Sequence, residues 1–180
     1  MILLYIGKCA SGKDTHLKEK VKEGYIPIVS YTTRPIRDGE VDGVDYNFVT
    51  NEKFQELLSK GKIMEHRSYE TCVDNKKDIW YYGSPRVDLS LGEYVGVVTV
   101  SGVWSYIKEY GSENVEVIYL RVDDDIRRNR AENRGSFDEA EWNRRLVADA
   151  KDFSDDKIRE LSKALQHFTE EWNNENLTIQ

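Results

Sequence analysis

The amino-acid sequence predicts an α/β fold in which helices cover a parallel core sheet, and three observations indicate it. Short apolar runs alternate with segments of helical periodicity, a pattern that builds parallel sheets through right-handed crossovers. Residues 94–100 are apolar almost throughout and rich in β-branched side chains, as in a strand buried on both faces. The length of 180 residues suits one domain with a well-formed core.

The composition narrows the classes of function. Apolar residues make up 39% and charged residues 33% of the chain, and the net charge of −7 argues against a nucleic-acid polymer as a partner. There is no leader sequence and no apolar run of membrane-spanning length, so we expect a cytoplasmic protein with no membrane partner. The two cysteines, Cys9 and Cys72, have neither the spacing of a metal site nor that of a disulfide framework. We expect a monomer or a homodimer.

The first predicted strand leads into a glycine-rich loop. Residues 2–6 are apolar and predict a buried strand, and the following residues 7–13 read Gly-Lys-Cys-Ala-Ser-Gly-Lys. The pattern G-x-x-x-x-G-K between a strand and a helix is typical of phosphate-binding loops. A helix is predicted over residues 12–23, so its N-terminal amides would face the same anion. The alternative is a glycine-rich turn that only caps an ordinary βα unit.

The residue after the lysine departs from this pattern. A Ser or Thr usually follows the lysine and binds Mg²⁺ through its hydroxyl, but here Asp14 follows Lys13 and Thr15 comes next. Either Thr15 supplies the hydroxyl, or Asp14 holds water molecules of the metal. The residues predicted to bind phosphate, with the last two as tentative metal ligands, are Gly7, Ser11, Gly12, Lys13, Asp14 and Thr15.

A second predicted strand, residues 25–29, runs into a polar loop over residues 30–40 that contains Pro and Gly. Arg34 and Arg37 lie three residues apart on this loop and can converge on one phosphate as forked, charge-assisted donors. The alternative is a solvated basic turn in which the arginines pair with their neighbours, Asp38 and Glu40.

The next segment predicts a small sheet and one helix. Residues 43–49 are expected to form a strand, and Asn51 is expected to cap a helix that Gly61 ends. A short strand over residues 63–66 would point Glu65 at a cleft, although a lone Glu is more often solvated.

An aromatic segment follows a polar stretch. Residues 69–80 are predicted to be a polar loop, with residues 74–77 as the tip of a hairpin. Residues 80–82, Trp-Tyr-Tyr, predict a return strand whose rings would stack on a base or form a small satellite core.

The core pattern then resumes. A short helix over residues 87–91 precedes the apolar strand, Ser101 is expected to cap the next helix, and residues 115–120 form another core strand. Ligands of such sheets bind beyond the carboxyl ends of the strands, where the glycine-rich loop and residues 30–37 both lie.

Arginines dominate the two helices that follow. The first helix is expected to begin at Asp123 and end at Gly135, and the second to begin near Asp138. Such a pair suits a lid that closes over phosphates and excludes water, or else a solvated face balanced by local acidic residues. The arginines are Arg127, Arg128, Arg130 and Arg134 on the first helix and Arg144 and Arg145 on the second. Residues 155–168 predict a last amphipathic helix.

Taken together, these segments resemble the guanylate kinase family of nucleoside monophosphate kinases, from residue 1 to about residue 146. Residues 7–15 resemble its ATP-phosphate loop. The pattern Ser30-Tyr31-Thr32-Thr33-Arg34-x-x-Arg37-x-Gly39-Glu40-x-x-Gly43-x-Asp45-Tyr46-x-Phe48 is similar to its acceptor-nucleotide signature. Glu65 and Tyr82-Gly83-Ser84 match later acceptor positions, while residues 130–135 and 145–146 resemble its lid.

The resemblance implies a fold and a reaction. The fold is a three-layer P-loop kinase fold with a parallel core sheet, a small mixed β region and a helical lid. One domain would comprise a core of residues 1–30, 85–122 and 146–180, an acceptor-binding region of residues 31–84 and a lid of residues 123–145. The reaction would transfer the γ-phosphate of ATP, with Mg²⁺, to GMP or dGMP.

The resemblance also implies residue roles. Arg34, Arg37, Tyr46 and Tyr82 would hold the 5′-phosphate of the acceptor. Ser30 would read a guanine carbonyl, and Glu65 would accept from the guanine N1 and amino hydrogens, with Ser84 nearby and Ser101 also on the acceptor side. The catalytic set would be Lys13, Arg34, Arg37, Arg130, Arg134 and Arg145.

The sequence departs from the family pattern in four places. Besides Asp14, Thr99 and Ser101 stand where the family carries acidic residues. The stretch from Glu65 to Tyr82 is longer than usual and suggests an extended hairpin, and no last strand is evident in residues 151–180. Two alternatives therefore stay open. One is a related kinase that acts on another nucleoside monophosphate or on a sugar phosphate, and the other is a binding module without catalysis.

Overall fold

The computed structural model of the chain describes residues 1–73, 76–133 and 137–173. It contains two compact units, one of Met1–Ile26 with Gly92–Gln180 and one of Pro27–Leu91. The second unit includes the predicted acceptor-binding region of residues 31–84. The predicted division into core, acceptor-binding region and lid stays a prediction.

The first unit contains a five-stranded sheet in the order β2-β7-β1-β8-β9. Its strands are β1 (Ile2–Ile6), β2 (Ile26–Pro27), β7 (Tyr94–Val97), β8 (Val115–Arg121) and β9 (His167–Trp172). Strand β1 pairs in parallel with both β7 and β8, and β8 pairs in parallel with β9. The predicted α/β fold with a parallel core sheet is confirmed.

The centre of this unit is the strand β1, whose five residues are all buried. Successive side chains of a strand point to opposite faces, so burial of every residue means that both faces of β1 are covered. On one face, Leu3 and Tyr5 pack against Val95, Ile118 and Leu120. Burial of each such side chain contributes about 2 kcal/mol. Packing on both faces therefore holds β1 in the middle of the sheet, and the glycine-rich loop begins at its carboxyl end.

The helices of the first unit follow the predicted order. They are α1 (Lys13–Lys22), α3 (Val100–Tyr110), α4 (Asp124–Glu132), α5 (Glu139–Asp152) and α6 (Asp155–Ala164). Helix α4 ends three residues before Gly135, the predicted end, which lies outside the described residues. Among the helices that the structure describes, none has the length and apolar character needed to cross a membrane.

The prediction that Ser101 caps α3 was wrong. Thr99 is the N-cap, with an extended backbone, and its hydroxyl accepts from the backbone N–H of Gly102 at 3.3 Å. Ser101 lies inside the helix, with its hydroxyl 3.0 Å from that of Thr99. The prediction placed the cap too late because the apolar run continues to Val100, although the strand itself ends at Val97.

The end of the chain also differs from the prediction. The expected helix over residues 155–168 stops at Ala164, and Leu165 has an extended backbone. Residues 167–172 then form β9, the last strand that the sequence did not reveal. This strand lies at the edge of the sheet, so its burial is slight and its residues lack the apolar alternation of a strand.

The second unit contains a mixed four-stranded sheet in the order β4-β3-β6-β5. Its elements are β3 (Tyr31–Thr32), β4 (Asn47–Phe48), α2 (Asn51–Ser59), β5 (Ile63–Val73), β6 (Lys76–Pro85) and a 3-10 turn (Leu89–Leu91). Strand β3 pairs in parallel with β4 and antiparallel with β6, which confirms the small mixed β region.

Several bounds in this unit correct the sequence analysis. The cap of α2 is Thr50 rather than Asn51, since the Thr50 hydroxyl accepts from the backbone N–H of Lys53 at 3.2 Å. The helical residues end at Ser59, and the predicted stop at Gly61 is confirmed, because Gly61 follows the C-cap Lys60 with a φ of 64° and donates to the Leu58 carbonyl at 3.0 Å. The strand expected over residues 43–49 is confined to β4, and the helix expected over residues 87–91 is only the 3-10 turn.

In the polar stretch of residues 69–80, residues 69–73 and 76–80 form strands rather than a loop. They belong to the long hairpin of β5 and β6, in which Tyr69 pairs with Trp80 and Glu70 with Ile79. Residues 65–70 alternate between half-buried and exposed, which is the period of a strand, although their polar character suggested a loop. The extended hairpin that the sequence suggested is therefore present, while residues 74–75 of the predicted tip lie outside the described residues.

Candidate functional site

The glycine-rich loop, residues 7–13, connects β1 to α1 and needs glycine at its first position. A Cβ atom on Gly7 would lie 2.7 Å from the Ser11 hydroxyl and 2.8 Å from the Leu120 carbonyl oxygen. The φ angle of Gly7 is also +154°, a conformation that side chains disfavour. Gly12, with a φ of 95°, serves as the N-cap of α1. The loop can therefore close tightly and aim its free amides at an anion.

Lys13 lies across this loop. Its ammonium donates to the carbonyl oxygens of Gly7 and Lys8, at 2.8 and 2.9 Å, and to the Ser11 hydroxyl at 3.3 Å. Ser11 is fully buried beneath it. The structure thus brings four of the predicted phosphate-binding residues together, namely Gly7, Ser11, Gly12 and Lys13, with the Lys13 ammonium bound to oxygen atoms of the loop.

Asp14 and Thr15 form the exposed first turn of α1. Their carboxylate and hydroxyl oxygens are ligands that Mg²⁺ accepts, and Mg²⁺ commonly takes one or two protein oxygens together with substrate phosphates and water. Within residues 1–73, 76–133 and 137–173, no group of three or more His, Cys, Asp or Glu side chains is arranged as a metal cage. The donor set therefore fits a metal carried largely by phosphates.

The middle of the loop is held by charged residues that the sequence analysis did not assign to it. The Cys9 backbone N–H donates to Asp149 Oδ2 at 2.8 Å, and the Cys9 carbonyl accepts from Arg127 Nη1 at 3.0 Å. Arg127 belongs to α4 and is fully buried, whereas a solvated or lid position was expected for it. Asp149 belongs to α5.

The thiol of Cys9 shares this environment. Burial raises its pKa to about 11, with the hydrogen bond and charge of Asp149 acting in the same direction and the Arg127 guanidinium opposing them. The Cys9 sulfur lies 3.4 Å from Arg127 Nη1. The thiol is therefore neutral at ordinary pH and makes a poor nucleophile.

Arg130 is joined to Asn173, the residue that follows β9. Its Nη2 donates to the carbonyl oxygen of Asn173 at 3.0 Å. The amide of Asn173 in turn reaches the Ser11 carbonyl at 3.4 Å and His16 Nε2 at 3.0 Å. Asn173 thus links a predicted catalytic arginine to the loop. The sequence analysis missed it because the strand before it was missed.

The other arginines of α4 and α5 make local pairs, as the alternative interpretation had them. Arg145 Nε donates to Glu141 at 2.7 Å, and Arg128 pairs with Glu132 and Glu139. The hydrogen bond from Arg144, together with Arg145, lowers the pKa of Glu141 to about 2. Arg134, the remaining predicted lid residue, lies outside the described residues.

A cavity of about 240 Å³ opens beside the loop. Its lining includes Lys8 of the loop, Arg121 and Asp123 at the end of β8, and Trp172 at the end of β9. The Trp172 side chain is 63% exposed, and the Arg121 guanidinium lies 5.7 Å from the ring centroid. The cavity thus offers an aromatic surface and both signs of charge.

In the second unit, Arg34 is buried and occupied by its neighbours. Its guanidinium donates to both Glu40 carboxylate oxygens, at 2.7 and 3.0 Å, and to the Pro35 carbonyl at 2.7 Å. The Arg34 hydrogen bond holds the pKa of Glu40 below its usual range. The backbone N–H of Arg37 also donates to Glu40 at 2.8 Å, while the Arg37 side chain is exposed. The local pairing with Glu40 that the sequence left open is therefore present.

Aromatic rings enclose the Arg34 guanidinium. It lies 5.6 Å from the centroids of both the Tyr46 and the Phe48 ring, and a hydrogen bond joins it to Tyr82. The Tyr82 ring packs edge-on against Tyr46 at 6.0 Å and Tyr69 at 5.5 Å. Three of the four residues expected around one phosphate thus lie together: Arg34, Tyr46 and Tyr82.

Glu65 and Ser84 are cross-strand partners on the hairpin. The buried Ser84 hydroxyl donates to Glu65 Oε1 at 2.9 Å, which fixes the carboxylate. Gly83, the neighbour of Ser84, lets the Ile63 and Phe54 side chains pack against the β6 backbone. A Cβ atom on Gly83 would lie 2.6 Å from the Ile63 side chain and 3.0 Å from Phe54.

The remaining acceptor residues are placed less directly. Ser30 is half-buried, and its carbonyl accepts from Asn47 at 2.8 Å. Ser101 belongs to the first unit, on α3. Arg67, which the sequence analysis did not single out, shares the face of Glu65 and donates to the Tyr69 hydroxyl at 3.3 Å. Its position at i+2 on a strand is the signal that would have revealed it.

Comparison with known proteins identifies relatives. The family model described as "Guanylate kinase" matches residues 3–76. The chain is 36% identical over 152 residues to a guanylate kinase of Clostridioides difficile (strain 630), covering 81% of this chain and 70% of that protein. It is 31% identical over 161 residues to a guanylate kinase of Wolbachia pipientis wMel, covering 85% of this chain and 76% of that one.

A solved structure is similar in fold. The crystal structure of guanylate kinase from Anaplasma phagocytophilum superposes with a TM-score of 0.59 at 23% sequence identity. The match covers 94% of this chain and 76% of that one.

Proposed function

This chain belongs to the guanylate kinase family, and we propose that it transfers the γ-phosphate of ATP to a guanine nucleoside monophosphate, GMP or dGMP. The observation that carries the proposal is the Glu65 carboxylate, which the buried Ser84 hydroxyl holds at 2.9 Å on the same sheet as Tyr82, the hydrogen-bond partner of Arg34. A fixed carboxylate accepts from the adjacent N1–H and amino group of guanine, and it repels the acceptor N1 of adenine.

On the donor side, the glycine-rich loop would bind the phosphates of ATP through its amides. Lys13, held at 2.8 Å from the Gly7 carbonyl, would turn to the outer phosphates when they arrive. Asp14 and Thr15 would hold Mg²⁺ directly or through water. When bound, the metal neutralises charge on the donor phosphates.

On the acceptor side, the two arginines have different roles. Arg34 is already fixed by Glu40, so it offers a preorganised positive edge beside Tyr46 and Tyr82. Arg37 is exposed and is the arginine that would move onto the acceptor phosphate. Two arginines and two phenols suit a dianion, because charged and neutral donors together satisfy its oxygens.

The proposed phosphoryl transfer needs no side chain that forms a covalent bond or removes a proton. The acceptor phosphate is already an oxyanion near neutral pH, so its oxygen attacks the γ-phosphorus without a general base. Catalysis is then positioning and charge stabilisation. Arg130, Arg134 and Arg145 would stabilise the charge that spreads over the transferring group, and the helices that carry them would exclude water as a lid.

The adenine of the donor would lie in the cavity beside the loop. Trp172, which is 63% exposed, lines this cavity and can stack on a base, and Asp123 can accept from an exocyclic amine. We further propose that the protein acts in the cytoplasm, as a monomer or homodimer.

The test is consumption of ATP with GMP, dGMP, AMP, dTMP, CMP and ribose phosphates as acceptors. We expect turnover with guanine nucleotides alone, lowered by about 10²-fold or more in Lys13→Ala because a charge contact to the transferring group is lost. Glu65→Gln should lower kcat/KM for GMP by about 100-fold and leave KM for ATP unchanged. Turnover on another acceptor would reject guanine selection, which the absence of acidic residues at Thr99 and Ser101 makes worth testing. No Lys13-dependent turnover would reject the kinase and favour a binding module.

A further inference from the structure

Among the described residues of the first unit, Arg127 is the largest completely buried side chain. Arginine is seldom buried without a partner, because an unpaired charge in a protein interior is costly. Proposed phosphate binding by the loop does not use this side chain. Its contacts therefore indicate another role.

The partners of Arg127 come from three elements. Nη1 donates to the Cys9 carbonyl at 3.0 Å and to Asp149 Oδ2 at 3.4 Å, and Nη2 donates to Asp124 Oδ1 at 2.6 Å. The guanidinium also lies 5.5 Å from the centroid of the Trp142 ring. The planar group is thus fixed at its edge and at one face.

The same Asp149 oxygen accepts from the Cys9 backbone N–H at 2.8 Å. The backbone N–H of Cys9 therefore binds the negative Asp149 of α5, and the backbone carbonyl of Cys9 binds the positive Arg127 of α4. We call this arrangement of Arg127, Asp149 and the Cys9 backbone the loop clamp. It fixes the middle of the glycine-rich loop, where a shift would redirect the amides on either side.

The clamp lies on the helix faces that carry the proposed catalytic arginines. Arg130 follows Arg127 by three residues on α4, and Asp149 follows Arg145 by four residues on α5. Side chains three and four apart on a helix share a face. Fixing Arg127 and Asp149 against the loop therefore also fixes the rotation of both helices about their axes.

The charges of the clamp matter for an anion. The Asp149 carboxylate beside the loop would repel phosphates if it stood alone, and Arg127 compensates it at 3.4 Å. Loss of Arg127 would leave the half-buried Asp149 carboxylate next to the loop without this cation.

We infer that Arg127 and Asp149 are positioning residues that couple α4 and α5 to the glycine-rich loop. They hold the loop amides for the donor phosphates and set the placement of Arg130 and Arg145. The kinetic part of this inference rests on the proposed function, whereas the hold on the loop can be measured without turnover.

The kinetic test compares Arg127→Met with wild type. We expect KM for ATP to rise about tenfold and kcat to fall about tenfold, since both the loop and the arginines lose their placement, while KM for GMP changes less than about twofold. The double variant Arg127→Met/Asp149→Asn removes the uncompensated charge and keeps an oxygen acceptor for Cys9. It should recover KM for ATP to within about threefold of wild type. Arg159→Met is the matched control, because Arg159 is an exposed arginine of α6 paired only weakly with Asp156 at 3.5 Å.

The second test is hydrogen exchange of residues 7–13 without nucleotide. The Cys9 amide should exchange faster in Asp149→Ala and in Arg127→Met, but not in Arg159→Met. Unchanged loop exchange in both variants, with a lower melting temperature and kinetic parameters that scale together, would overturn the inference and leave only a stabilising pair. If wild type shows no turnover, the proposed function fails, and loop exchange together with calorimetric binding of ADP still decides on the clamp.

Discussion

Each of the two units contains a buried arginine, and the two arginines find their partners at very different distances along the chain. Arg34 is 4% exposed and pairs with Glu40 and Pro35, six residues and one residue away. Arg127 is 0% exposed and contacts Cys9 and Asp149, 118 and 22 residues away. The acidic partner of Arg34 lies within its own loop, with Tyr82 as a further partner on β6. Arg127 also has a nearby acidic partner, Asp124, but its other contacts connect the glycine-rich loop to a second helix.

The difference teaches what each arginine is for. The ion pair of Arg34 needs only a short stretch of chain, so its guanidinium can be held in place by Glu40 before a ligand binds. The contacts of Arg127 with Cys9 and Asp149 form only when the glycine-rich loop, α4 and α5 are all in place. Substitution of Arg127 should therefore affect stability, the loop and the helices at once.

The largest expected effect is on the free energy of unfolding when Arg127 is replaced. Arg127→Met should lower the free energy of unfolding by about 3 kcal/mol, because the fully buried guanidinium and its hydrogen bonds are removed and the half-buried Asp149 stays behind. Urea unfolding of Arg127→Met, Asp149→Asn and the double variant gives the coupling energy between the two sites. A loss below about 1 kcal/mol would mean that the cluster is not closed in solution.

Alkylation of the Cys9 thiol gives the next largest effect. Its pKa, raised from 9.0 to about 11, leaves about 100-fold less thiolate than an ordinary thiol at pH 8. In a Cys72→Ser background, iodoacetamide should therefore modify Cys9 about 100-fold more slowly than a free cysteine peptide, and unfolding in urea should restore the ordinary rate. A fast reaction in the folded protein would show that the loop clamp opens readily.

The local pair of the second unit should respond to acid. Arg34 lowers the pKa of Glu40 in the folded protein, so the unfolded chain binds a proton at Glu40 before the folded one does as pH falls. The stability from this pair is therefore present above the ordinary Glu pKa and lost as pH falls through the folded value. Glu40→Gln should cost about 1.5 kcal/mol at pH 7 and nothing at low pH. Equal costs at both values would contradict the pairing.

Ser84 and Glu65 give the smallest effect and an intermediate case, with partners 19 residues apart on neighbouring strands. Ser84→Ala should raise KM for GMP about fivefold with kcat nearly unchanged, because the carboxylate remains but loses its fixed orientation. Ser90→Ala, which alters an exposed serine of the same unit bonded to Asp88, is the control. A change in kcat alone would argue against a role of Ser84 in holding the base.

Features that depend on residues close together in sequence could be predicted, whereas features that depend on distant residues could not. The apolar run of β1, the glycines around Lys13 and the pairing of Arg34 with Glu40 are written within short stretches of sequence, so they could be predicted. The N-caps of α2 and α3 were misplaced because another polar residue that can cap a helix follows each true cap. Asn51 comes one residue after Thr50, and Ser101 comes two residues after Thr99. Local pattern limits such assignments.

The failures have physical causes as well. Strand β9 is an edge strand that contains little apolar surface, and the hairpin strands are polar on their exposed face. The burial of Arg127 depends on Cys9 and Asp149, whose proximity only the fold creates. Nothing in the composition of α4 separates Arg127 from Arg128 and Arg130, which are only half-buried.

The long hairpin has a consequence for how this chain can vary. Its register pairs Glu65 with Ser84 near the base and Tyr69 with Trp80 farther out. Shortening both strands by equal numbers of residues beyond Tyr69 leaves the lower pairs on their face, whereas deletion of a single residue between Glu65 and Tyr69 reverses the side on which the following residues lie. The outer hairpin is therefore open to insertion and trimming over evolutionary time, while the parity of its base is under strict constraint.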